Sequence, residues 1–135
     1  MYTTNYYDTF IEIAEDCPVD IAEKPPLKTN KTVASIEYEM IADNPYKYTS
    51  DEVLFEVFVL RNDVPERNRK MEIERFFSKG QACFRGSPLT KRYGWGVHFD
   101  SEGKMAIYAV ESDMYRKFVK DKNIGHVKAM RSKRA

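Results

Sequence analysis

The stretch GWGVHFDSEGKMAIYAV, residues 94–110, decides the fold because it carries both strands of a β-hairpin and the turn between them. Its centre, DSEGK at 100–104, has the residues of a type I turn closed by a left-handed glycine, Gly103. That combination gives a three-residue hairpin loop with a bulge. We therefore predict two antiparallel strands within about 93–110. The predicted pairs are Trp95 with Ala109, Gly96 with Tyr108, Val97 with Ile107 and His98 with Ala106.

Successive side chains of these strands point to opposite faces. The apolar face is predicted to meet the core, and its members are Trp95, Val97, Phe99, Met105, Ile107 and Ala109. The other face carries Gly94, Gly96, His98, Ala106, Tyr108 and Val110. A glycine within a strand costs about 0.5–1 kcal/mol relative to alanine, so the space over Gly96 should have a use. Two occupants are open: the protein itself, through Tyr108 or a closely packed helix, or a ligand.

Four other stretches are predicted to be helices. Thr49 and Glu52 form a capping box at the start of the second predicted helix, residues 49–60. The β-branched residues of this stretch leave a strand interpretation open. The third is predicted to end at a left-handed Gly80. Ser112 can cap the last. The predicted helices cover 32–43, 49–60, 63–79 and 112–120.

One further strand is predicted at residues 8–14, where Ile11 and Ile13 alternate with Phe10. Residues 15–31 contain three prolines and many charges and are predicted to be a loop. A strand followed by helices, a hairpin and a last helix indicates an α+β fold. We predict a single domain whose small antiparallel sheet packs against three to four helices.

Composition is typical of one globular domain. The chain has 135 residues, of which 42% are apolar, enough for a core. No apolar run approaches about 18 residues, and the N-terminus has no basic region followed by an apolar one, so neither a membrane span nor export is expected. Two cysteines, Cys17 and Cys83, are too few for a disulfide framework, which favours a cytoplasmic location. Neither has a partner at metal-ligand spacing and no cofactor fingerprint occurs, so no metal and no cofactor is expected.

The net charge of +1 conceals a division along the chain: residues 1–78 carry −7 and residues 79–135 carry +8. This asymmetry indicates an anionic partner for the second half, or attraction between copies that would give a homo-oligomer. If the halves interleave in the fold, the charges cancel locally instead. Residues 128–135 are predicted to be a basic tail that could be mobile. Near-neutral charge overall argues against a dedicated nucleic-acid-binding protein.

The residues beside the hairpin supply a candidate ligand site. Cations flank Gly86-Ser87-Pro88, where loop N–H groups could join them in holding a phosphate or carboxylate. A ligand could also lie on the bare hairpin face, with an imidazole and a phenol as walls. Solvated loop charges are the alternative interpretation. The predicted ligand-binding residues are Arg85, Lys91, Arg92, Gly94, Gly96, His98 and Tyr108.

Three functions follow from these features. The first is a binding module for a small anionic or aromatic molecule. The second is a protein–protein or self-association module that uses the oppositely charged halves. The third is an enzyme with Cys83 as thiol and His98 as base, oriented by Asp100 or Glu111. An inert buried thiol is the alternative for Cys83, and no catalytic residue is assigned.

Several stretches resemble a family of small bacterial proteins of unknown function. They are TTNYYDTFIEIAEDCP (3–18), NPYKYTSDEVLFEVF (44–58), SPLTKRYGWGVHF (87–99), EGKMAIYAVES (102–112) and VKAMRSKR (127–134). The likeness covers nearly the whole chain and therefore favours one domain. It implies no activity, ligand or catalytic residue.

Overall fold

A computed structural model of the chain describes residues 1–26 and 31–133, within which four strands and five α-helices form. The strands are β1 (Thr9–Glu12), β2 (Trp95–Phe99), β3 (Met105–Ala109) and β4 (Gly125–Lys128). The helices are α1 (Val33–Ala42), α2 (Ser50–Arg61), α3 (Arg69–Phe76), α4 (Pro88–Lys91) and α5 (Asp113–Lys120). The predicted α+β fold is confirmed. Residues 27–30 of the predicted loop and 134–135 of the predicted tail lie outside the described residues.

The hairpin has the predicted register. Trp95 pairs with Ala109 and Gly96 with Tyr108. Gly103 takes the left-handed conformation with φ of 80°, and Asp100 Oδ1 accepts the N–H of Lys104 at 2.9 Å. A local turn signal was therefore sufficient to place two of the four strands.

The sheet has the order β3-β2-β1-β4 and is mixed, so the prediction of a wholly antiparallel sheet is wrong for one pairing. β1 runs antiparallel to β2, but β4 runs parallel to β1, with Thr9 opposite Gly125. β3 and β4 lie at opposite edges of the sheet, and the segment that contains α5 carries the chain from one edge to the other. The sequence analysis predicts no strand at residues 125–128, and Lys128, which it assigns to the basic tail, is the last residue of β4.

The predicted core face of the hairpin is confirmed. Val97, Phe99 and Met105 have no exposed surface, and they pack with residues of α1, α2 and α4 on this face of the sheet. The main partners are Ile11, Ile36, Ile41, Val53, Val57 and Leu89. None of the helices in the described ranges has the length and apolar character that a bilayer crossing requires.

The helix starts follow their capping residues. Thr49 Oγ1 accepts the N–H of Glu52, whose carboxylate accepts the N–H of Thr49, so the capping box and the helical interpretation of this stretch are confirmed. Ser112 caps α5 through the N–H of Tyr115 at 3.2 Å.

The end of the third helix differs from the prediction. α3 ends at Phe76, and Gly80 is absent from the positive-φ residues of the described chain. Phe77 turns inward and is 4% exposed. The Ser78 hydroxyl and the Gln81 amide donate to the last carbonyls of the helix, at 2.6 and 2.7 Å. Because side chains satisfy these carbonyls, no left-handed glycine is needed.

Candidate functional site

The bare hairpin face is covered by α5. A Cβ atom on Gly96 would lie 2.6 Å from both Phe10 Cζ and Tyr115 Cε2. The rings of Phe10 and Tyr115 pack edge to face at 5.1 Å, and the Tyr115 hydroxyl accepts the N–H of Ile13 at 2.9 Å. The occupant over Gly96 is therefore a closely packed helix, and neither Tyr108 nor a ligand fills this space.

Gly94 also lies in close contact with another part of the protein, the loop that contains Val19 and Ala22. Its φ is 81°, and a Cβ would lie 2.9 Å from Val19 Cγ2 and 3.2 Å from Ala22 Cα. The Ala22 N–H donates to the carboxylate of Glu111 at 2.8 Å. The glycine lets part of the proline-containing loop lie against the base of the hairpin.

His98 and Tyr108 belong to a hydrogen-bonded cluster on the α5 face. The Tyr46 hydroxyl lies 2.8 Å from His98 Nδ1 and 2.8 Å from the Tyr108 hydroxyl. The His98 ring stacks on Phe118 at 4.2 Å. Burial lowers the pKa of His98 and raises that of Tyr46. Sequence analysis missed Tyr46, which is 52 residues from His98 and carries no local signal for this contact.

Arg85 holds the last residue of β4 and the segment just after it. Its Nε donates to the carbonyl of Lys128 at 2.7 Å, and its own carbonyl accepts the N–H of Met130 at 2.7 Å. Nearby, Lys128 Nζ lies 3.2 Å from Glu15, and Asp16 accepts the N–H groups of Ser132 and Lys133. Part of the charge of the two halves is thus paired within one chain.

Lys91 and Arg92 line a cavity of about 570 Å³ on the other side of the sheet from Gly96. The cavity lies between the N-terminus of α1 and the segment 86–93, and its described lining includes no residue of the glycine face. The predicted site residues therefore separate, because Lys91 and Arg92 lie at the end of α4, whereas Gly96 and His98 lie on the face of β2 that α5 covers. Among the residues that the structure describes, four cations line the cavity: Lys31, Arg61, Lys91 and Arg92.

Local sequence explains how α4 presents its cations. Ser87 is the N-cap, with its hydroxyl accepting the N–H of Leu89 at 3.1 Å, and Pro88 occupies the first helical position. This Ser-Pro pair is a helix-start signal that the sequence analysis treated as loop. The short helix then ends at Lys91, with Arg92 as its C-cap.

Two of the four cations were missed by the sequence analysis. Arg61 is the last residue of α2, and Lys31 directly precedes Thr32, the N-cap of α1. Neither is near residues 85–92 in sequence, so only packing of α1, α2 and α4 brings them to one cavity. No local pattern would have indicated this.

The cavity is strongly positive. No acidic side chain lines it among the described residues, and within that part of the chain no carboxylate lies within 4.0 Å of Arg61, Lys91 or Arg92. Lys31 has a solvent-exposed partner, Glu39, at 3.4 Å. The first turn of α1 adds N–H groups without intrahelical acceptors and the positive end of a helix dipole.

A buried carboxyl group lies behind the cavity wall. Glu37 of α1 is 1% exposed, and its Oε1 accepts the hydroxyl of Ser87 at 2.7 Å. Burial raises the pKa of Glu37 to about 7, and the Ser87 hydrogen bond acts in the opposite direction. Because Ser87 also caps α4, this contact fixes the start of α4 against α1.

The residues that the sequence suggested for thiol catalysis make other contacts in the structure. Cys83 Sγ lies 3.3 Å from the Tyr6 hydroxyl, and no hydrogen bond joins it to His98 within the described residues. Asp100 closes the hairpin turn and Glu111 holds the loop at Ala22. Over residues 1–26 and 31–133, no group of three or more His, Cys, Asp or Glu is placed to hold a metal ion.

The fold and cavity define a small α+β protein with a mixed four-stranded sheet and a positively charged cavity beside it. The chain belongs to a family of unknown function, DUF6157, whose profile matches residues 1–135. The resemblance to a family of unknown function is thereby confirmed. No curated protein and no solved structure matches the chain.

Proposed function

We propose that the protein binds a small organic anion in the cavity between the start of α1 and α4. The observation that supports this is the convergence of four cations on one cavity, without an acidic side chain among its described lining residues. Like charges gathered in this way repel one another. A bound anion offsets that repulsion and gains attraction from each cation.

The cavity also has an apolar wall, which favours an organic ligand over a simple ion. Pro26, Val33, Pro88 and Tyr93 line it beside the cations. A volume of about 570 Å³ lies in the range of small-molecule sites, roughly 300–1,000 Å³. Apolar walls with a few convergent polar groups are the usual composition of such sites.

The proposed site contains only some of the ligand-binding residues that the sequence predicts. Lys91 and Arg92 remain as ligand-binding residues, joined by Lys31 and Arg61. Arg85, Gly94, Gly96, His98 and Tyr108 are assigned structural contacts instead, since each is engaged within the protein.

Thermal unfolding at low salt tests this function with a panel of aromatic carboxylates, sulfates and phosphates. A ligand that binds only the folded state raises the melting temperature according to its concentration and affinity. We expect at least one anion class to stabilise the wild type and to lose most of that effect in Arg92→Gln and Lys91→Gln.

Two matched variants control for the loss of a positive charge. Arg67 and Lys122 are exposed and lie outside the cavity lining. Arg67→Gln and Lys122→Gln should therefore retain the full response to the anions. A response that is equal in the cavity and control variants would show nonspecific binding and would refute the proposal.

A further inference from the structure

The four cations of the cavity come from three different elements. Lys31 precedes α1, Arg61 ends α2, and Lys91 and Arg92 end α4. They therefore approach the cavity from several directions instead of forming a stripe along one helix. Arg61 and Arg92 each carry a planar guanidinium that can donate two parallel hydrogen bonds to an oxyanion.

A single negative charge matches this arrangement poorly. Lys31 is already paired with Glu39, and a monoanion would neutralise only one of the three other cations, so the described lining would stay positive. A second charge on the same ligand gains attraction from all four cations without any new apolar contact. A phosphate monoester provides it, because its second pKa is about 6 and it offers three acceptor oxygens above that pH.

From this we infer that the ligand of the cavity is a phosphate monoester with a compact, partly apolar organic body. The inference rests on the proposed function and adds the chemical class of the ligand to it. The phosphate would lie among the guanidinium and ammonium groups, and the organic body would lie against Tyr93 and the neighbouring prolines, Pro26 and Pro88.

Phenyl phosphate and phenyl sulfate form a matched pair of probes for this inference. They share the same ring and a tetrahedral oxyanion, but at pH 8 the phosphate carries two negative charges and the sulfate one. Titration calorimetry at low salt should give a dissociation constant about tenfold lower for phenyl phosphate at pH 8, from one added charge among several cations.

The ratio of the two dissociation constants, measured at two pH values, shows whether the charge of the phosphate or its shape causes the tighter binding. At pH 5 the phosphate binds a proton and becomes a monoanion, so its advantage over the sulfate should largely disappear. The sulfate corrects for any change in the protein itself, including titration of Glu37. In Arg92→Gln the ratio of the phenyl sulfate to the phenyl phosphate dissociation constant at pH 8 should be smaller than in the wild type. In Arg67→Gln this ratio should stay at the wild-type value.

The outcomes distinguish the two proposals. Equal dissociation constants for the two probes at pH 8, both weakened by Arg92→Gln, would overturn the phosphate assignment and leave anion binding in place. Absence of binding by both probes, together with an anion panel that leaves the melting temperature unchanged, would overturn both. A tenfold ratio that persists at pH 5 would also overturn the assignment, because charge would not be its cause.

Discussion

Gly96 and Tyr115 are packed so closely that a single added carbon would not fit between them. A Cβ atom on Gly96 would lie 2.6 Å from Tyr115 Cε2 and 2.6 Å from Phe10 Cζ. Tyr115 cannot move away freely, because its hydroxyl accepts the N–H of Ile13. The seating of α5 on the sheet therefore requires a residue without a side chain at position 96.

Gly96→Ala should lower the free energy of unfolding by about 1–3 kcal/mol, the usual cost of overpacking a well-filled interior. Urea denaturation measures this directly. Gly80→Ala is the control, since a Cβ there would meet its nearest atom, Tyr2 Cδ1, at 4.0 Å. Equal stability of the two variants would contradict the packing role of Gly96.

The sequence was sufficient for features that local contacts determine. The register of β2 and β3 depends on a turn closed by Gly103, and the start of α2 depends on Thr49 and Glu52, three residues apart. β4 could not be found in this way. It has four residues, and its partner β1 lies more than 100 positions earlier, so its pairing depends on where α5 returns the chain.

The candidate site was predictable only in part for the same reason. Lys91 and Arg92 are neighbours and were recognised together. Arg61 and Lys31 join them through the packing of three helices, which no spacing in the sequence encodes. Gly96 was correctly recognised as a position that something must cover, but the identity of Tyr115 as its cover depends on the tertiary structure.

The Tyr46 hydroxyl should contribute measurably to stability, because it bonds both His98 and Tyr108. Tyr46→Phe leaves two partly buried groups without this partner, and we expect a loss of about 1 kcal/mol or slightly more. Tyr108→Phe retains the bond between Tyr46 and His98 and should cost less. Urea denaturation shows which of the two variants loses more free energy of unfolding. A larger loss in Tyr108→Phe than in Tyr46→Phe would contradict this account of the cluster.

Asp16 should hold the residues that follow β4. Its carboxylate accepts the N–H groups of Ser132 and Lys133, both at 2.9 Å, and these hydrogen bonds lower its pKa. Asp16→Asn removes the charge that strengthens them. Hydrogen exchange should become faster at the amides of Ser132 and Lys133 and stay unchanged at Val97. Unaltered exchange at both amides would show that the carboxylate does not hold this segment.

Glu37 should make the protein less stable as the pH rises from about 4.5 to about 7. Its carboxyl group has an ordinary pKa of 4.5 when exposed, and burial in the folded chain raises that pKa to about 7. Between these values the folded state binds the proton more tightly than the unfolded state. The free energy of unfolding contributed by this group therefore falls with pH, by about 1.4 kcal/mol per unit and about 3 kcal/mol in total.

Glu37→Gln replaces the carboxyl group with a neutral side chain of the same shape that can still accept the Ser87 hydroxyl. The variant should resemble the wild type at pH 4 and be more stable at pH 8 by up to about 3 kcal/mol. Glu39→Gln is the matched control, because Glu39 is exposed on the same helix. The difference between wild type and variant, measured by urea denaturation across this pH range, isolates Glu37 from other titrating groups. A difference that does not change with pH would mean that folding leaves the pKa of Glu37 unshifted, and this would contradict the prediction.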